Sequence, residues 1–282
     1  QDGMNQSPLL LFALVFIVAA LCFKLGAVPF HMWLPDVYEG GALSVVSYLG
    51  SVPKLAALGF LVRILIDTLP GLGGHWQILL LCFGMLSIIV GNVCALVQQN
   101  ILRLLAYSTI SHVGFILLGL AEGGIAGYHA ALFYTIIYAM MAASTFGVLL
   151  IIRTGGGKAQ EISDLAGLNE QQPWLAFMFL LLIVSLAGIP PLLGFDAKLL
   201  VLLALAHAGH YVMVTIALVM SVIGGFYYFR ILRMMYFEKP KSTLNVQMRM
   251  STLLVISSNG ILLVLLGLFP TSLIDICKIV IA

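Results

Sequence analysis

The chain is a succession of long apolar runs separated by short joints rich in glycine, proline and charge. "LLLFALVFIVAALCF" and "WLAFMFLLLIVSLAGI" are typical runs. A β-barrel would show short alternating segments instead. A helix crossing a bilayer needs about 20 apolar residues. The pattern predicts about eight such spans, over roughly 9–34, 43–66, 77–98, 101–120, 127–152, 173–205, 211–236 and 251–269. The joints are "PDVYEGG", "DTLPGLGGHW", "AEGGIAG", "RTGGGKAQEISDLAGLNEQQP" and "FEKPKSTLNVQMRM". The longest has room for a short surface helix around Ile162 to Leu168, and "TSLIDICKIVIA" after Pro270 is expected to lie along the membrane interface. The expected fold is an all-α polytopic membrane protein forming a single transmembrane domain over residues 1–282.

Composition agrees. Hydrophobic residues make up 62% and charged residues 9%, against about 25% charged in an ordinary soluble domain. With a mean hydropathy of +1.12, the chain cannot cover a globular surface with polar groups, so the lipid bilayer is its expected surrounding. The net charge of +2 gives no electrostatic reason to expect nucleic acid. Cys22, Cys82, Cys94 and Cys277 show no C-x-x-C or Cys/His spacing and read as small buried hydrophobes. No Gly-rich phosphate loop, nucleophile elbow or cofactor fingerprint is present, so no metal or cofactor is expected in this chain. The start, "QDGMNQSPLL", has neither an initiator Met nor a basic n-region. It does not read as a signal peptide, and the chain is expected to be a piece of something longer.

Lysine and arginine placement sets the expected orientation. The side opposite the N-terminus receives Arg103, Arg153, Lys158, Arg230, Arg233, Lys239, Lys241 and Arg249; the other receives Arg63 and Lys278. The basic side is therefore expected to be cytoplasmic, or the equivalent matrix side.

Two spans are abnormal. The first holds Lys24, Pro29, His31 and Pro35, and the sixth, about 33 residues long, holds Pro190 and Pro191. Proline removes a backbone donor and stops a helix locally. Unwound backbone is tolerated at membrane depth only where protein or a polar cavity satisfies it. The first span runs toward the basic side and the sixth away from it. Paired interrupted helices of opposite direction suggest inverted repeats with an ion path between them.

The ionisable residues inside the spans point the same way. A charge at mid-membrane costs about 2.5–3.5 kcal/mol on insertion scales. Counted from the span edges, Lys24, Lys54 and His112 fall near mid-depth; Lys198 falls beyond the second break, two residues after Asp196. A single lysine near a span end would usually snorkel. Three in separate spans read as a relay, because burial disfavours an ammonium and brings lysine toward exchanging protons near neutral pH. Histidine is poised there already. Ser108, Thr109 and Ser111 beside His112 are placed to hold waters. Asp36 and Glu39, at the mouth of the first break, read either as a solvated loop pair or as a proton uptake point. His31 reads as structural, holding carbonyls freed at the break. His75, His207 and His210 read as loop residues, and "GFYYFRILRMMYF" as interface belt and packing.

These motifs together carry a family likeness. "FKLGAVPFHMWLPDVYEG" resembles the broken-helix motif of the antiporter-like membrane subunits of respiratory complex I, most of all the subunit N (mitochondrial subunit 2) type. "NILRLLAYSTISHVGFILLGL", "SLAGIPPLLGF" followed by Lys198, and "GGFYYFRILRMMYFE" follow in the family's order, over nearly all 282 residues. The resemblance implies a proton-translocating subunit of NADH:quinone oxidoreductase. In it Lys24 is the central switch, Lys54 and His112 relay laterally, and Lys198 hands the proton toward the exit. FMN, iron–sulfur clusters, NADH and quinone would belong to other subunits, and the partners would include neighbouring antiporter-like subunits. It implies a bacterial inner membrane, or a mitochondrial inner membrane. Full-length members have about fourteen spans (a mid-membrane glutamate in an earlier span pairs with the first lysine), and this chain matches the last eight or so. Either this chain is a truncated product, or a separate chain supplies the missing N-terminal spans as a further partner. "EGGALSVV" lacks the family's usual proline after the acidic loop. The alternatives are a sodium/proton antiporter or membrane-bound hydrogenase subunit of the same superfamily, and a non-pumping scaffold.

Lys24→Arg separates relay from structure, since arginine keeps its charge but does not deprotonate in proteins. Proton uptake by membrane vesicles should stop in this variant; uptake at the parent rate would mean that Lys24 serves only as a fixed cation.

Overall fold

A computed structural model describes residues 8–68, 72–154, 157–240, 244–246 and 250–281. Among them, seven helices are long and apolar enough to cross a membrane. They are α1 (Pro8–Leu25), α3 (Leu43–Val62, continued as a π-helical turn over Arg63–Thr68), α4 (Gly73–Val97), α5 (Ile101–Ala121), α6 (Ile125–Ile151), α10 (Tyr211–Phe237) and α11 (Met250–Leu268). Both breaks fall where the prolines predict. After α1 the chain unwinds through Pro29 and resumes as the short α2 (Trp33–Gly40). The sixth apolar segment is split into α8 (Pro173–Ala187) and α9 (Leu193–His207) around Pro190 and Pro191. The Val28–Pro29 and Pro190–Pro191 peptides are cis. The chain is thus an all-α polytopic membrane protein with two broken helices, as its apolar pattern implies.

On one side of the bundle the long Gly-rich joint does more than carry a surface helix. It holds the 3-10 turn Ile162–Leu165 and the single turn α7 (Leu168–Gln171). It also contributes β1 (Ile152–Thr154) and β2 (Gly157–Lys158) to a small antiparallel sheet of order β2-β1-β3, completed by β3 (Leu244–Val246). These strands are too short for alternation to announce them. They tie the end of α6 to the chain between α10 and α11. Lys241 and Arg249 lie outside the described residues, as do the side chains of Arg153 and Lys158. The terminal segment forms α12 (Thr271–Ile281), which packs against α6.

Helix α5 is the axis of the bundle: 94% of its apolar window is buried. Its closest neighbour is α4, and glycines allow that approach. A Cβ at Gly114 would lie 2.6 Å from the Gly84 carbonyl oxygen and 2.7 Å from Ile88. One at Gly91 would lie 2.7 Å from the Ser111 backbone nitrogen. Lipid tails are as apolar as leucine, so helix association in a membrane rests on such close backbone packing. The prolines and glycines therefore play different parts. The prolines open the helices, while the glycines bring α4 against the residues that face the breaks.

Gly114→Val should lower stability by about 1–3 kcal/mol through overpacking, seen as less folded protein in detergent and a lower melting temperature. Gly59→Ala, where nothing lies within 4 Å of an added Cβ, should leave both unchanged.

Candidate functional site: two lysine-capped helix breaks around a histidine

The two breaks are built alike. Helix α1 ends at Gly26, whose φ of 78° favours glycine. The amide of Ala27 donates to the Cys22 carbonyl (2.8 Å) and that of Gly26 to Phe23 (3.0 Å). Helix α8 ends the same way at Gly188, with φ 79°. There Ile189 donates to Val184 (3.2 Å) and Gly188 to Ser185 (2.9 Å). Both are Schellman endings, which satisfy two of the orphan carbonyls of a helix C-terminus and leave others free. At each break a lysine takes the last helical carbonyl. Lys54, from α3, donates to the carbonyl of Leu25. Lys198, from α9, donates to Ala187 (2.7 Å) and Leu186 (3.3 Å), and also to the Ser221 hydroxyl of α10 (3.1 Å). Only 1% of Lys54 and 8% of Lys198 is exposed. A C-terminal helix end carries partial negative charge, so each ammonium meets both a dipole and a hydrogen-bond acceptor. Aromatic faces complete the two sites: Lys54 Nζ lies 5.9 Å from the Trp33 ring centroid and Lys198 Nζ 5.7 Å from that of Phe115.

Other groups satisfy the remaining opened backbone. The Val28 amide donates to Ser87 on α4 (2.9 Å), and the Gly194 amide to Ser185 (3.2 Å). His31 is half-buried at the first break; its ring lies against the Pro29 backbone, and its Nδ1 is buried without a hydrogen-bond partner. Asp196 sits half-buried in the first turn of α9, where a carboxylate complements the helix N-terminus. Lys24 stands apart. It lies on the exposed face of α1, one residue from the carbonyl that Lys54 holds, and no hydrogen bond or ion pair reaches it among the described residues.

His112 lies between the two lysine sites in sequence, on the axial helix α5. Its Nδ1 is 2.7 Å from the Tyr134 hydroxyl of α6, and its Nε2 is 3.1 Å from the Tyr228 hydroxyl of α10. Tyr228 is hydrogen-bonded in turn to Ser108. Tyr138 donates to Thr109 (2.8 Å), and Asn92 on α4 donates to Ser111 (2.8 Å). The hydroxyls flanking His112 are thus held by protein groups, where their sequence suggests waters. Tyr227, which donates to Asn92 (3.1 Å), and Tyr228 are buried members of this network, not the interface belt that their run suggests. Beside this cluster lies a cavity of about 10 Å³, lined by Ser108, Thr109, Tyr138, Thr145 and Phe146, room for about one water. The Thr145 hydroxyl beside it is buried and unpartnered.

Asp36 and Glu39 are not free. Arg103, in the first turn of α5, donates to Asp36 (2.9 Å) and to Glu39 (2.6 Å) through one nitrogen. Asn100, which caps α5 through its side-chain oxygen, also donates to Glu39 (3.1 Å). The acidic pair therefore fastens the second half of the first broken helix to the axial helix.

Sequence reading missed Tyr134, Tyr138, Tyr228, Asn92 and Ser221, and took Arg103 only as a topology charge. Tyr134 and Tyr138 stand at i and i+4 on α6, one face of a helix, which is the signal that could have found them.

A membrane bundle with two proline-broken helices, each capped by a buried lysine, is antiporter-like in class. Over residues 1–224 the chain matches the family model described as NADH:quinone oxidoreductase/Mrp antiporter, TM, and it belongs to that family. It is 47% identical to NADH-quinone oxidoreductase subunit N of Nitrosomonas europaea, over 96% of this chain and 56% of that protein. It is likewise 47% identical to subunit N of Thioalkalivibrio sulfidiphilus, over 95% of this chain and 56% of that one. Among solved structures it resembles a chain of respiratory complex I from Thermus thermophilus, with a TM-score of 0.84 at 32% identity, over 96% of this chain and 60% of that one. A chain of the Mrp complex from Dietzia shares the fold, with a TM-score of 0.85 at 20% identity, over 97% of this chain and 59% of that one. The chain thus spans a little over half the length of the curated relatives it matches.

Arg103→Ala should release both carboxylates. Because the pairs are partly exposed, each should cost about 0–1 kcal/mol, read as a small fall in melting temperature that shrinks at high salt.

Proposed function

We propose that this chain is a proton-translocating membrane-arm subunit of an NADH:quinone oxidoreductase. The observation that carries the reading is the pair of buried lysines, Lys54 and Lys198, each seated on the open end of a broken helix in a chain 47% identical to subunit N proteins. A buried ammonium is costly unless it is paired, and neither lysine meets a carboxylate among the described residues. Lys54 is held by a carbonyl oxygen and Lys198 by carbonyl and hydroxyl oxygens, acceptors that a neutral amine also satisfies. Such a group can change charge when a neighbouring charge moves.

In this reading quinone reduction elsewhere in the complex drives charge movement along Lys24, Lys54, His112 and Lys198, and protons move outward. NADH, FMN, iron–sulfur clusters and quinone act in other subunits; this chain contributes no redox chemistry. Residues 1–282 form one transmembrane domain. Lys24 faces outward from α1 toward a carboxylate brought by a neighbouring segment, either the remainder of a longer chain or a separate one. The neighbouring membrane-arm subunits include other antiporter-like ones. The bacterial inner membrane is the proposed location, with the basic joints on the cytoplasmic side.

Lys54→Ala is the direct test. In membrane vesicles at matched amounts of assembled complex, NADH-driven proton uptake should fall at least severalfold, with NADH oxidation falling alongside it. Uptake and oxidation both at parent levels would make the lysines structural and the chain a scaffold.

A further inference from the structure

We infer that Tyr134 and Tyr228 are positioning residues for His112, together keeping both charge states of its ring fully hydrogen-bonded. The inference rests on the relay reading above and names the groups that make His112 able to serve in it.

A neutral imidazole carries one N–H and one bare nitrogen, so it needs one acceptor and one donor. An imidazolium carries two N–H groups and needs two acceptors. In water both needs are met by solvent. His112 is 3% exposed, and Tyr134 and Tyr228 are 1% and 2% exposed, so here the protein must meet them. A carbonyl could only accept and an ammonium could only donate. A phenol hydroxyl does either, by turning its O–H about the C–O bond. The ring has one such hydroxyl on each nitrogen, at 2.7 Å and 3.1 Å. With the ring neutral, one tyrosine accepts from the N–H and the other donates to the bare nitrogen. With the ring charged, both accept. Tyr228 has somewhere to turn, because its hydroxyl shares a hydrogen bond with Ser108, another group that both donates and accepts.

The proton balance is simple. Tyr228 gives its O–H proton to the bare Nε2 as Ser108 gives its own to Tyr228, and the cavity that Ser108 lines has room for the water that resupplies it. The ring becomes imidazolium with both tyrosines accepting, and Nε2–H returns a proton through the same hydroxyl pair when the ring goes back to neutral. No backbone moves, and no buried N–H is left unpaired at any stage, which would otherwise cost the full desolvation of that group.

The arrangement is held from three helices. Tyr134 stacks on Phe115 of α5, with ring planes 9° apart. Tyr138 lies with its ring centroid 5.0 Å from that of His112, but its hydroxyl goes to Thr109. Groups facing the ring are therefore Tyr134 and Tyr138 from α6 and Tyr228 from α10. Lys198 of α9 is the charged group that acts on it among the described residues.

The test uses vesicles bearing matched amounts of the assembled complex, with the rate of NADH-driven proton uptake measured in ordinary and in heavy water. Tyr134→Phe and Tyr228→Phe keep the rings and remove the hydroxyls. Each leaves one N–H of the imidazolium unpaired, so each should lower uptake about tenfold. Each should also raise the solvent isotope effect above the parent's, because transfer at His112 becomes the slow step. Tyr48→Phe, at an exposed tyrosine of α3 outside the site, should match the parent in both. Parent uptake in the two variants, or a loss with the parent's isotope effect, would overturn the inference. His112→Ala keeps the two questions apart: parent uptake there would instead remove His112 from the relay.

Discussion

The organisation of this chain depends on a carbonyl oxygen with no helix left to receive it. Within a bilayer an unpaired backbone group costs several kcal/mol or so, and each proline break creates such groups at membrane depth. Here the answer is the same at both breaks: a left-handed glycine closes part of the helix end, and a lysine from another helix takes the last carbonyl. That contact explains why cations and helix breakers coexist in one apolar chain. It also fixes where α3 stands against α1, and how the two halves of the sixth segment face each other.

The remaining architecture serves these ends. The glycine contact of α4 with α5 brings Ser87 to the opened amide of Val28 and Asn92 to the hydroxyl beside His112. Arg103 and Asn100 bind the short helix after the first break to the start of α5. The axial helix thus touches one break with its first turn and carries His112 farther along. Sheet β2-β1-β3 closes one side by tying two distant joints together.

Much of this was legible in the sequence. Proline inside an apolar run is a strong local signal, so both breaks and the helices around them could be read directly. The burial of Lys54 and Lys198 followed from depth along the spans. Direction around a helix did not: Lys24 has the same depth signal, yet it lies on the exposed face of α1. The partners of His112 were hidden for another reason. Tyr228 lies 116 residues away, in an aromatic run whose composition suits an interface belt equally well. Asp36 and Arg103 are 67 residues apart, and no local pattern links them. The strands of two and three residues are below the length at which alternation can be seen.

Under the proposed relay, the way Lys54 and Lys198 are seated bears on how the fold tolerates a change of charge. Holding a fold together and giving up a proton are ordinarily at odds, since a salt bridge breaks when its cation is neutralised. An amine that has lost a proton still has N–H bonds to offer a carbonyl. The tie between helices thus survives the change of charge, weakened but unbroken, and what alters is the electric field around it. The scaffold can remain mechanically still while its electrostatics cycle.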